Sequence, residues 1–145
     1  MFLGASSLSL DAKGRLSVPT RHHEALMAIC EGQVTITQHY EGCLFVFPQP
    51  AWESFSSKIA TLPMSSLRLK RLYLSNAMTV ELDGTGRILI SPELREAAGI
   101  TKETTLRGMG NYFELWDKAA YEAYDARQKR SMQESPPVEL NDIEL

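Results

Sequence analysis

The chain has 145 residues, of which 43% are apolar, with 15 Lys and Arg against 18 Asp and Glu for a net charge of −3. That length holds one ordinary domain or two small ones of about 60–70 residues each. No apolar stretch approaches the ~18 residues of a membrane span, the start Met1-Phe2-Leu3-Gly4 lacks the charged and apolar regions of a secretion signal, and Cys30 and Cys43 are too few for a disulfide framework. A reduced, cytoplasmic setting with no membrane contact is expected.

Residues 5–10 and 15–18 read as short strands, because Leu8, Leu10, Leu16 and Val18 alternate with polar neighbours. Between them Asp11 suits the first position of a type I turn and Gly14 the left-handed position that closes it. Pro19-Thr20 opens a helix through about Ile29, which Gly32 ends. A second strand pair follows, Val34–Thr37 and Leu44–Phe47, around a turn at Glu41-Gly42. Pro50 starts a helix with Trp52, Phe55, Ile59 and Leu62 on one face. Ser65 to about Ser75 reads as a connecting helix carrying Arg68, Lys70 and Arg71, whose face is expected to be solvated.

The same order then recurs. Leu8-Ser9-Leu10-Asp11-Ala12-Lys13-Gly14-Arg15-Leu16-Ser17-Val18 matches Val80-Glu81-Leu82-Asp83-Gly84-Thr85-Gly86-Arg87-Ile88-Leu89-Ile90 at an offset of 72 residues. Ser91 is a candidate N-cap, with Pro92 at the first helical position and Gly99 at the end. Thr104–Leu106 and Tyr112–Trp116 form the second strand pair around Gly108-Met109-Gly110. Phe113-Glu114-Leu115-Trp116 echoes Leu44-Phe45-Val46-Phe47 at an offset of 69. Asp117 caps a last helix with Ala120, Tyr121 and Tyr124 inward. Each copy is thus β-β-α-β-β-α, too small to bury much apolar surface alone. The predicted fold is α+β and β-rich, two tandem half-domains packed as a pseudo-symmetric dimer within one chain. The predicted boundaries are 1–62 for the first repeat, 63–77 for the connecting helix, 78–130 for the second repeat and 131–145 for an acidic disordered tail.

The acidic balance does not argue against nucleic acid. From Gln133 onward the chain carries Glu134, Glu139, Asp142 and Glu144 with no basic residue, so the remainder is close to neutral. Residues 1–23 hold Lys13, Arg15 and Arg21 against Asp11 alone. Local clustering carries the argument, not bulk charge. Each repeat also places Asp and Arg four apart around a turn glycine. One such pair can also be read as a local salt bridge, which adds only about 0–1 kcal/mol when exposed and so gives a weak reason for the Arg. The same pair at symmetric places in both halves points to two arginines held at a fixed spacing. Rigid guanidinium groups of that kind suit phosphates and guanine edges, with the Asp orienting the Arg.

These residues resemble the MraZ family of bacterial transcriptional regulators. The likeness lies in Met1-Phe2-x-Gly4, Asp11-Ala12-Lys13-Gly14-Arg15-Leu16-Ser17-Val18-Pro19, Asp83-Gly84-Thr85-Gly86-Arg87-Ile88-Leu89-Ile90 and Phe113-Glu114-Leu115-Trp116, and runs from Met1 to about Tyr124. It implies halves similar to the swapped hairpins of AbrB-like regulators, assembly into ring-shaped homo-oligomers, and binding to short double-stranded DNA repeats upstream of the division and cell-wall gene cluster. It also implies repression of the chain's own operon from a nucleoid-associated position in the cytoplasm. Carried over position by position, the DNA-binding motif falls on Asp11, Lys13, Arg15, Asp83 and Arg87. Thr85 stands where the first copy has Lys13, so the halves are expected to contribute unequally.

Other chemistries find less support. His22, His23, Cys30, His39 and Cys43 offer only His39-x-x-x-Cys43 as a short ligand spacing. The second copy has Gly108 and Tyr112 at those places, so these residues are expected to be surface histidines and ordinary thiols, with no metal or cofactor. Trp52, Phe55, Tyr121 and Tyr124 have helical spacing and read as packing residues rather than base-stacking platforms. No nucleophile motif, phosphate loop or carboxylate pair is present, so no catalytic residue and no enzyme activity are expected. The alternative is an interaction or scaffold module on the same hairpin fold, without DNA.

Overall fold

The β-β-α-β-β-α order is present twice. In the computed structural model, which describes residues 1–144, the first half contains β1 (Ala5–Ser9), β2 (Arg15–Ser17), α1 (Thr20–Cys30), β3 (Gln33–Gln38), β4 (Leu44–Pro48) and α2 (Gln49–Ala60). A 3-10 turn, Met64–Ser66, and α3 (Leu67–Tyr73) form the connection. The second half contains β5 (Met78–Glu81), β6 (Arg87–Leu89), α4 (Pro92–Ala97), β7 (Glu103–Gly108), β8 (Phe113–Asp117) and α5 (Lys118–Glu134). The caps named from sequence are in place. Ser91 Oγ accepts the Leu94 N–H at 3.3 Å, and Asp117 Oδ2 accepts the Ala120 N–H at 3.0 Å.

The strands that flank each Asp–Gly turn do not pair with one another along their length. β1 lies antiparallel to β7, while β2 lies antiparallel to β6. β5 likewise joins β3. Each of these three ladders joins one half to the other, whereas β3–β4 and β7–β8 pair within their own halves, so the first strand pair of each half is exchanged into its counterpart. The result is a six-stranded sheet, β1-β7-β8-β4-β3-β5, with a separate two-stranded ribbon, β2-β6. The order is its own mirror under exchange of halves, which puts a pseudo-two-fold axis between β4 and β8 and through the centre of the ribbon.

Alternation along the central strands sorts the side chains into two cores. Val34, Ile36, Leu44, Val46, Leu106, Phe113 and Leu115 face one way and pack with Leu16, Ile88, Leu26 and Leu94 from the ribbon, α1 and α4. Phe45, Phe47 and Trp116 face the other way, where Trp52, Phe55 and Ile59 of α2, Leu69, Leu72 and Tyr73 of α3, and Tyr121 and Tyr124 of α5 cover them. The predicted aromatic face of α2 is thus a packing face: Phe47 and Phe55 stack with centroids 4.9 Å apart.

Some expectations need correction. His22 is not a surface residue. It lies on the same helical face as Leu26, and its ring meets the edges of Phe2 and Phe113 at centroid distances of 5.6 and 5.0 Å. His39 is also enclosed, stacked on Phe45 at 4.1 Å, with Nδ1 within 2.6 Å of the Tyr73 hydroxyl and Nε2 within 2.8 Å of Glu41 Oε1. Among the described residues no three His, Cys, Asp or Glu side chains converge as a metal site would require. Ala120 is exposed, because only Tyr121 and Tyr124 of that turn reach Trp116. The last helix runs through Glu134, four residues into the segment assigned to the tail, since nothing breaks it before Ser135-Pro136-Pro137. Val138–Asp142 beyond it form a short 3-10 helix.

Two predictions follow from this packing. Leu16 is fully buried beneath the ribbon, opposite Ile88. Leu16→Ala should therefore cost roughly 2–5 kcal/mol, measured by urea denaturation. Burial pushes the His22 imidazole below its ordinary value of 6.5. The unfolded chain then binds a proton that the folded chain resists, so stability falls as the pH drops below about 6.5. Thermal melts at pH 7 and 5.5 should show a smaller loss in His22→Leu than in the parent.

Candidate nucleic-acid interface

The ribbon carries the two Asp–x–x–Gly–Arg turns to one surface. Its register sets Arg15 opposite Leu89, Leu16 opposite Ile88 and Ser17 opposite Arg87. Leu16 and Ile88 point into the core, so Arg15, Ser17, Arg87 and Leu89 share the outward face. The strands are tied at both ends across the halves. The Val18 N–H donates to the Gly86 carbonyl at 3.0 Å, and the Ile90 N–H donates to the Gly14 carbonyl at 2.9 Å.

Each aspartate organises its own turn. Asp11 Oδ1 accepts the backbone N–H groups of Lys13 and Arg15, both at 2.9 Å, and Oδ2 accepts Arg15 Nε at 2.7 Å. Asp83 Oδ1 accepts the Thr85 N–H and hydroxyl, both at 2.9 Å, and the Arg87 N–H at 3.0 Å, while Oδ2 accepts Arg87 Nε at 3.0 Å. Both carboxylates are held below the usual range, chiefly by the backbone N–H of their own arginine and only partly by its guanidinium. The first turn has a further tie. Arg87 Nη1 lies 3.8 Å from Asp11 Oδ2, so both guanidinium groups gather at one carboxylate oxygen. The two arginines are half-buried rather than fully exposed, each side chain retaining 30% of its accessible surface. Lys13 is exposed at the tip of its turn, where Thr85 closes onto Asp83 in the other half.

A second tier supports each turn from the opposite half. His23 of α1 and Arg95 of α4 are counterparts at the 72-residue offset. His23 Nε2 donates to the Val18 carbonyl at 2.6 Å, and Arg95 Nε donates to the Ile90 carbonyl at 3.0 Å. His23 then lies against Gly86, and Arg95 against Gly14. From sequence His23 reads as a surface histidine rather than a metal ligand, and no local signal marks Arg95, Ser17 or Leu89. The offset that aligned the turns also paired His23 with Arg95, but only the crossed ribbon puts each beside the other half's glycine. Arg68, Lys70 and Arg71 lie on α3, an element packed on α2 and β3 rather than on the ribbon.

The arrangement can hold guanidinium groups in fixed positions toward a ligand that outcompetes the carboxylates: phosphate oxygens or the acceptor edge of guanine. Among the described residues no three His, Cys, Asp or Glu side chains converge there as metal ligands. No helix among them is long and apolar enough to cross a membrane.

A family model described as "MraZ protein, putative antitoxin-like" matches residues 1–71 and again residues 73–139, one match for each half. The chain belongs to the MraZ family. A protein of Acidovorax sp. (strain JS42) bearing the name transcriptional regulator MraZ is 68% identical over 126 residues, 87% of this chain and 89% of its own length. The relatives of the same name in Delftia acidovorans (strain DSM 14801 / SPH-1) and Verminephrobacter eiseniae (strain EF01-2) are 60% and 61% identical over 143 residues, 99% of either chain. The chain thus stands among transcription regulators, and the two family matches coincide with the two halves of the swapped pseudo-dimer described above.

The turn glycines supply a test of this geometry. Both take left-handed angles, φ +83° at Gly14 and +79° at Gly86, which an alanine adopts at a cost of about 1 kcal/mol. A Cβ at Gly14 would come 2.8 Å from the Arg95 guanidinium, whose long side chain can shift at the loss of its bond to the Ile90 carbonyl. At Gly86 it would run into the stiffer, hydrogen-bonded ring of His23. Gly86→Ala should therefore lower the melting temperature more than Gly14→Ala, read by circular dichroism.

Proposed function

We propose that this chain is a sequence-specific regulator of transcription that binds double-stranded DNA through the β2–β6 ribbon, as a homo-oligomer. The observation that carries the reading is the gathering of Arg15 and Arg87 at Asp11 Oδ2 on a half-exposed ribbon. A single ion pair of this exposure contributes about 0–1 kcal/mol, so stability gives little reason to bring two arginines to one carboxylate. Binding does: the aspartates fix both groups in advance, which lowers the ordering cost of a contact to DNA. Asp11, Asp83, Arg15 and Arg87, with Lys13 at the first turn, form the proposed DNA-binding set.

So few cations per protomer bind weakly, because affinity rises with the number of phosphates neutralised. An oligomer that presents several ribbons to several short repeats gains through effective concentration. Two separate apolar grooves support such an assembly. One is lined by Met1, Ile29, Pro48, Pro50 and Met109, the other by Tyr40, Leu69 and Leu72. Contact between two unlike surfaces on successive copies closes into a ring when the rotation allows it. With the upstream repeats expected of the family, the outcome is repression of the chain's own operon and its division and cell-wall genes, exerted at the nucleoid in the cytoplasm.

Arg15→Ala should sharply weaken binding to the DNA upstream of its own gene while leaving fold and oligomer size nearly unchanged. One bidentate base contact is worth roughly 1–3 kcal/mol, and several protomers engage together. Arg87→Ala should act in the same direction, and Asp11→Ala less strongly. The measurement is a binding titration at two salt concentrations, with circular dichroism and light scattering as controls. Wild-type affinity in a folded Arg15→Ala protein would make the turns structural and leave the interaction module as the reading.

A further inference from the structure

The four outward positions of the ribbon are not symmetric. The pseudo-two-fold exchanges Arg15 with Arg87, which match, and Ser17 with Leu89, which do not. Leu89 keeps 47% of its accessible surface although it sits directly across from Arg15, on the face that carries both arginines. An isolated exposed leucine needs no explanation in general. This one is the single apolar side chain on the face that carries both arginines, and Ser17 shows that the fold does not require an apolar residue there.

A two-stranded ribbon fits the major groove, whose edges differ from base pair to base pair. Arginine reads the acceptor edge of guanine there, and the feature that an aliphatic side chain reads is the C5-methyl group of thymine. Resting on the DNA-binding reading above, we infer that Leu89 is a specificity residue that packs on a thymine methyl beside the base contacted by Arg15. Ser17 supplies a polar contact at the mirrored place. The arginines then offer the same contact in both halves, while the Leu89–Ser17 difference fixes one direction of the protomer on its site. A pseudo-symmetric chain thereby recognises a non-palindromic element in one orientation only.

The test uses the full chain. A duplex is selected by the wild-type protein from a random pool, and each thymine is then replaced singly by deoxyuridine, which removes only the methyl group. Wild-type binding should fall about fourfold at one thymine, the worth of one buried methyl. Leu89→Ser should bind the same duplex without sensitivity at that position, and its exposed site should leave the circular dichroism unchanged. The double exchange Ser17→Leu with Leu89→Ser should move the sensitive thymine to the other side of the site's centre. Arg15-dependent binding in which no thymine is methyl-sensitive, or in which Leu89→Ser keeps the sensitivity, overturns the inference and leaves the DNA reading standing. Selection of no sequence by the wild type overturns both.

Discussion

Everything at the proposed interface depends on the burial of Leu16 and Ile88 beneath a ribbon built from both halves. Neither three-residue strand could hold itself; a two-stranded hairpin is marginal in water even when longer. Each strand is kept in place because its central side chain enters the common core and its exit is tied to the other half's glycine carbonyl. Once those central residues point inward, the period of two sends Arg15, Ser17, Arg87 and Leu89 outward. The functional surface is therefore a consequence of core packing.

The same exchange explains how so small a repeat becomes stable. β1 finds its partner in β7 and β5 finds its partner in β3, so each half completes the other's sheet. Helices then cover the two faces with different chemistry: aliphatic residues under the ribbon, aromatic residues under α2, α3 and α5. Tyr73 shows how closed the aromatic side is, its hydroxyl pushed up to about 12 by burial while it meets His39.

The repeat gives the site its symmetry, and differences between the two copies break it. Asp11 collects two guanidinium groups, whereas Asp83 turns one of its oxygens to the Thr85 hydroxyl. Arg95 stands over one glycine and His23 over the other. The first turn, with Lys13 at its tip, is thus the more cationic of the two.

The repeat, the turn chemistry, the helix caps and the Asp–Arg spacing were all legible in the sequence, because each depends on residues within a few positions of one another. Asp11 to Arg15 is one turn, and Ser91 to Leu94 is one cap. The family likeness added the exchange of hairpins, which local pattern could not reveal, since a strand's alternation says which side is buried and nothing about which strand lies beside it. Only the tertiary structure decided that Arg87 reaches Asp11 across 76 positions of chain, and that His22 is enclosed by Phe2 and Phe113. It alone decided that Arg95 and His23 support the opposite half's turn. Those contacts join segments far apart in the chain, and their partners are chosen by how two half-cores fit together rather than by any local preference of the backbone.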